Sequence, residues 1–173
     1  TFINDFYVSL MEETPKETRW VFHEDNSIPF VNFVDMPYTP WSDNKYYPIF
    51  GVPSPLLMSW PDLYFHTDYL TADNLDPAVF RRCGLTSALA ALELAYAGPT
   101  EALSIMRQVG IRSQMRLTSI ALGADDASAV GRVKKRLINL SNRDKLAVES
   151  TMALVDSNEL NAHPELKTTS AKI

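Results

Sequence analysis

Apolar residues at Ile3, Phe6, Tyr7 and Leu10 recur at the i, i+3, i+4, i+7 spacing of one helix face, so an amphipathic helix is predicted to open the chain. The polar stretch Glu12 to Thr18, which contains Pro15, reads as a loop. Trp20 and Phe22 then alternate with polar neighbours, the period of a short strand. Phe30, Phe33 and Val34 suggest another strand, weakened by Pro29. Pro37 to Ser42 is turn material, and Ser42 and Asp43 are placed to cap a short helix that Pro48 ends. Leu56 to Trp60 is the best strand candidate, being short, apolar and bounded by prolines.

After Asp76 the period changes. Asp76 is a helix cap and Pro77 occupies the favoured first helical position. The helix is predicted to run to about Ala97, burying Val79, Phe80, Cys83, Leu89 and Leu92, until Gly98-Pro99 stops it. A second helix is predicted from about Thr100 to Leu122. A third starts near Ser128, with Val130, Val133, Leu137, Leu140, Ala147, Thr151 and Leu154 on alternating steps of three and four. Asp144 interrupts that seam. The tail from Asn158 is polar and is expected to fray.

Composition sharpens the division. Residues 1–76 hold 12 acidic against 3 basic residues, and residues 77–173 hold 9 against 13. Sixteen of the 18 aromatic residues precede Pro77, and none follows Tyr96. Such a shift marks a loop-rich α/β part followed by an aliphatic helical part. The expected organisation is therefore residues 1–98 as one α/β unit and residues 99–173 as a helical extension. A single cysteine, Cys83, excludes an intrachain disulfide and reads as a buried thiol on a helix face. No apolar run reaches spanning length, so no membrane segment is expected. No signal peptide is visible, and a chain that opens on Thr1 rather than Met is expected to be a truncated or processed piece. Its compartment is therefore undefined.

His66 follows the predicted strand Leu56 to Trp60 and stands beside Thr67, Asp68 and Asp73. A histidine so placed can ligate a metal through a neutral ring nitrogen, or lie on the surface near carboxylates. Local sequence leaves both open. The stretch W-P-D-L-Y-F-H-T-D-Y-L-T-A-D-N-L-D-P, Trp60 to Pro77, resembles a motif of the two-zinc aminopeptidase family, which also contains glutamate carboxypeptidase and the transferrin receptor. Upstream, Pro37-Tyr38-Thr39-Pro40-Trp41-Ser42-Asp43-Asn44 resembles the family's P-Y-x-P-G-S-D-H, and the two motifs sit at the family's spacing. The resemblance covers about the first 98 residues.

It implies the C-terminal portion of a zinc-exopeptidase α/β domain, a mixed sheet flanked by helices. It implies His66 as the last zinc ligand, with Asp43, Tyr64 and Phe65 walling the substrate pocket. The other ligands of the two zinc ions, and the glutamate general base, belong to the N-terminal part of such a domain. That missing part is thus an implied partner, alongside a peptide substrate cleaved at its N-terminal residue by metal-assisted hydrolysis. The segment alone is expected to be inactive, since a catalytic zinc needs about three protein ligands.

Four positions depart from the family. Phe65 lacks the hydroxyl of the tyrosine that often precedes the ligand histidine, a donor whose loss costs about 10²–10³ in rate. Leu70 stands where an acidic residue is usual, and Asn44 replaces the histidine of the upstream motif, with Trp41 replacing its glycine. These favour the alternative of a catalytically degenerate, peptidase-like binding or structural module. Elsewhere, His23 and His163 read as solvated, and the basic run Arg132 to Arg136 as a solvated helix face. It has no interleaved aromatics for stacking, so no nucleic-acid partner is expected. The helical extension is a candidate homo-oligomerisation element.

Overall fold

The computed structural model describes residues 2–17, 33–36, 42–123 and 127–173. Among these there is no strand, and the mixed α/β sheet expected from the sequence is not present: the described chain is helical. The described residues form six α-helices: α1 (Ile3–Glu17), α2 (Pro77–Ala95), α3 (Pro99–Leu122), α4 (Ala127–Ser150), α5 (Ser157–Ala162) and α6 (Pro164–Lys172). The expected strand at Leu56 to Trp60 is an extended stretch without ladder hydrogen bonds. A strand exists only through a partner, and Pro53, Pro55 and Pro61 remove donors that a ladder would use. Phe33 to Met36 has no regular structure, while Trp20, Phe22 and Phe30 lie outside the described residues.

Two compact units form, one from Thr1–Phe6 with Leu92–Ile173 and the other from Tyr7–Ala91. In the first, α3 and α4 are the principal packed pair. Ala102, Ile105, Met106, Val109, Gly110 and Ser113 make the buried stripe of α3, stepping by three and four as a core-facing helix requires. Asp144, Ala147 and Val148 face inward from α4, followed by Thr151 in a 3₁₀ turn (Thr151–Leu154). Phe2 and Phe6 are buried here with their rings edge to face at 6.5 Å, and the Phe2 amide donates to Ser150 Oγ at 3.0 Å.

The tail from Asn158 carries two short helices. Asp156 caps α5, accepting from the amides of Asn158 (2.8 Å) and Glu159 (2.9 Å). Pro164 starts α6, which packs on α3 and α4 and buries Leu166 completely. One apolar anchor thus orders a segment whose composition reads as solvent-facing.

In the second unit α1 continues through Pro15 to Glu17, where a loop was predicted. Proline costs the helix one amide donor near its end without stopping it. Asp76 caps α2 as predicted, accepting from the amides of Ala78 (2.8 Å) and Val79 (3.4 Å). The buried stripe of α2 is Arg82, Thr86 and Ala90, not the predicted set. Phe80 and Leu92 are exposed, while Val79, Cys83 and Leu89 are half-buried. Thr86 Oγ1 donates to Met11 Sδ at 3.2 Å, so a polar residue here packs by satisfying its hydroxyl. No described helix is long and apolar enough to cross a membrane.

Candidate functional site

The segment from Gly51 to Pro77 is built from successive turns. Gly51, at φ 73°, closes the 3₁₀ turn Tyr47–Phe50, and its amide donates to Pro48 O at 3.0 Å. That left-handed conformation favours glycine. Pro48 therefore sits inside a turn rather than ending a helix. Beyond it, Val52, Leu56, Met58 and Trp60 are all exposed.

The His66 loop then folds on its own polar groups. The Tyr64 amide donates to Asp62 Oδ1 at 2.9 Å, and Thr67 donates to Tyr64 O through both its amide (3.0 Å) and its hydroxyl (2.7 Å). Asn74 Nδ2 donates to Tyr69 O at 2.6 Å and closes the loop ahead of α2. His66 occupies its tip with φ 60°. Left-handed backbone costs a non-glycine residue about 1–2 kcal/mol, and histidine is among the side chains found there more often than most.

The His66 ring lies against Phe65, with centroids 4.0 Å apart, and Phe65 meets Trp60 edge to face at 6.2 Å. The Phe65 ring therefore covers one side of the imidazole, and His66 is otherwise exposed. Among the described residues no hydrogen bond fixes its tautomer. Asp62 is committed to the Tyr64 amide, and neither Asp68 nor Asp73 pairs with the ring. Tyr64 is exposed and contributes its carbonyl to the loop. Of the predicted site residues, His66 and Phe65 are in contact and Tyr64 shares their loop. Asp43 is exposed in a separate element, the 3₁₀ turn Asp43–Lys45, where its carbonyl accepts from the Tyr46 amide at 3.1 Å. Ser42 precedes that turn without a side-chain cap, and Asn44 is buried. Among the described residues no three His, Cys, Asp or Glu side chains converge as a metal site would require. The described residues supply one imidazole donor and do not by themselves fit a zinc ion.

The strongest electrostatic cluster lies elsewhere and was hidden in the sequence by its separation along the chain. Arg116 of α3 forms a bidentate pair with Asp5 of α1, with Nη2 donating to Oδ2 at 3.1 Å and Nη1 to Oδ1. Its Nη2 also lies 3.2 Å from Asp144 Oδ2, an ion pair without an aligned hydrogen bond. Arg143 donates to Asp144 Oδ1 from Nε (2.9 Å) and Nη2 (2.8 Å). The side chains of Asp5 and Asp144 are 6% and 3% exposed, so both charges depend on these partners. Burial works against the Arg116 charge, but the hydrogen bond to Asp5 and the charges of Asp5 and Asp144 outweigh it and raise its pKa further. Burial likewise pushes the Asp144 carboxyl up, yet hydrogen bonds from Arg143 and Ser113 and the charges of both arginines bring it below its ordinary 3.8. The cluster ties residues of α1, α3 and α4 together and reads as a fastener of helices.

Two other carboxylates are held low by local bonds. Glu101 accepts from the Gly98 amide at 2.9 Å at the start of α3. Glu165 accepts from His163 Nδ1 at 2.7 Å, so His163 is paired across the α5–α6 junction. His23 lies outside the described residues. Compared with family models, with curated proteins and with solved structures, the chain matches none.

Proposed function

We propose that the chain is a segment of a metal-dependent aminopeptidase, in which His66 donates one imidazole to a zinc centre whose remaining ligands lie outside the described residues. The reading is carried by the presentation of His66: an exposed ring at the tip of a turn-bonded loop, backed by Phe65 and Trp60, within the motif Trp60 to Pro77. A ring with no hydrogen-bond partner among the described residues keeps both nitrogens available, one for a metal and one for an acceptor that sets the tautomer. The helical architecture removes the sheet rim on which such a histidine was expected to stand. The proposal therefore rests on the loop and not on the fold. Asp43 and Tyr64, both exposed, are available as pocket wall.

A second reading has an observation in its favour. Phe65 packs its ring between Trp60 and His66, a structural use of the position where a tyrosine would offer a hydroxyl. That suits a peptidase-like binding module without catalysis. The two readings separate in an arylamide aminopeptidase assay on the complete zinc-loaded protein. Hydrolysis that falls at least about 100-fold in His66→Ala supports the first. No hydrolysis by the unaltered protein supports the second.

A further inference from the structure

Helix α3 carries a second apolar stripe, opposite the one it buries. Ile111, Met115 and Leu122 are 58%, 66% and 78% exposed. At 100° per residue the three fall within about 40° of arc and extend about 16 Å along the axis, with exposed Thr118 in the same strip. Single exposed apolar residues are ordinary, but an aligned row on the outer face of a 24-residue helix marks a contact surface.

The row is also symmetric. Reversed end to end about a point between Arg116 and Leu117, position 111 maps onto 122 and position 115 onto 118. A two-fold axis there brings Ile111 of one copy against Leu122 of the other, and Met115 against Thr118. That is the self-complementarity an isologous contact requires. Charge selects the same direction. Between Ala102 and Leu122 the helix has three arginines and no acidic residue. Arg116 is turned inward onto Asp5 and Asp144, while Arg107 is exposed beside the apolar row. A parallel pairing would set Arg107 against its own copy across the seam. The antiparallel one separates the two by about 28 Å, several Debye lengths at physiological salt.

We infer that the outer face of α3 pairs with a second copy of this chain, antiparallel, through Ile111, Met115, Thr118 and Leu122. The surface belongs to one compact unit and is independent of the His66 reading. Sedimentation equilibrium of the full chain is expected to give twice the chain mass. Met115→Glu is expected to raise the dissociation constant at least about tenfold with an unchanged far-UV spectrum, since the site is exposed. Ile111→Cys and Leu122→Cys, each in a Cys83→Ser background, fix the direction. Oxidised separately they are expected to give no covalent dimer; oxidised as a mixture they are expected to give one. A monomeric chain, or a dimer indifferent to Met115→Glu, overturns the inference. So does a covalent dimer from Ile111→Cys alone. A monomer that binds lipid vesicles, and loses them on Met115→Glu, assigns the face to a membrane surface instead and equally overturns it.

Discussion

Replacing Arg116 by methionine removes the cation shared by Asp5 and Asp144 while keeping much of the aliphatic stem. Both carboxylate side chains are almost fully buried, and Asp144 is also paired with Arg143. Breaking a fully buried pair by deleting one partner costs about 3–5 kcal/mol, because the remaining charge is left without compensation. The Arg116 side chain is 24% exposed and solvent can reach part of the gap, so about 2–3 kcal/mol is the expected loss. At about 2–4 °C per kcal/mol for a chain of this size, the midpoint should fall by about 4–12 °C. Urea denaturation followed by circular dichroism measures it directly. The double variant Arg116→Met with Asp5→Asn should recover part of the loss, since it also removes one of the two buried carboxylates that Arg116 pairs with. A single-variant loss below about 0.5 kcal/mol would refute the reasoning and make the cluster a solvated ion pair of the ordinary surface kind.

Further outcomes follow from the same geometry. The pKa of Asp144 is depressed on folding, so the unfolded chain binds more protons and stability rises with pH. Its contribution is complete above the ordinary value of 3.8 and is lost as pH falls through the lower folded value. In acid titrations of stability, the advantage of the unaltered protein over Asp144→Asn should therefore shrink below about pH 4; a gap that widens would contradict the assignment. Leu166→Ala should cost about 2–5 kcal/mol in the same urea experiment, because the side chain is fully buried, whereas a frayed tail would show no change. Asp76→Ala should cost about 1 kcal/mol through the lost cap of α2. Phe80→Ser, at a position 72% exposed, should stay within about 0.5 kcal/mol of the unaltered chain.

The sequence made the helix starts legible where a local bond creates them. Asp76-Pro77 announces α2 because the capping carboxylate and the amides that donate to it lie within three residues. The seam of α4 was legible from Val133 onward, although Val130, predicted to belong to it, is exposed and Asp144 looked like its flaw. It is a member of the core whose partner sits 28 positions upstream, and no local pattern carries that distance. The stripe of α2 was misread for a related reason. Its buried residues are Arg82, Thr86 and Ala90, two of them polar, while the conspicuous Phe80 and Leu92 point outward. Leu56 to Trp60 failed as a strand because a short apolar run bounded by prolines describes what a segment tolerates, whereas a sheet also needs a neighbour. For the site, the sequence pointed to His66 and its loop. It could not say which side chains converge there, and only the Phe65 and Trp60 contacts are added by the structure.

The metal content of the complete protein bearing this chain tests the proposed role of His66 most directly. Elemental analysis after dialysis should find close to two zinc ions per protein, and at most one in His66→Ala, with circular dichroism unchanged. Equal zinc in the two, or none in the unaltered protein, would contradict the assignment of His66 as a ligand.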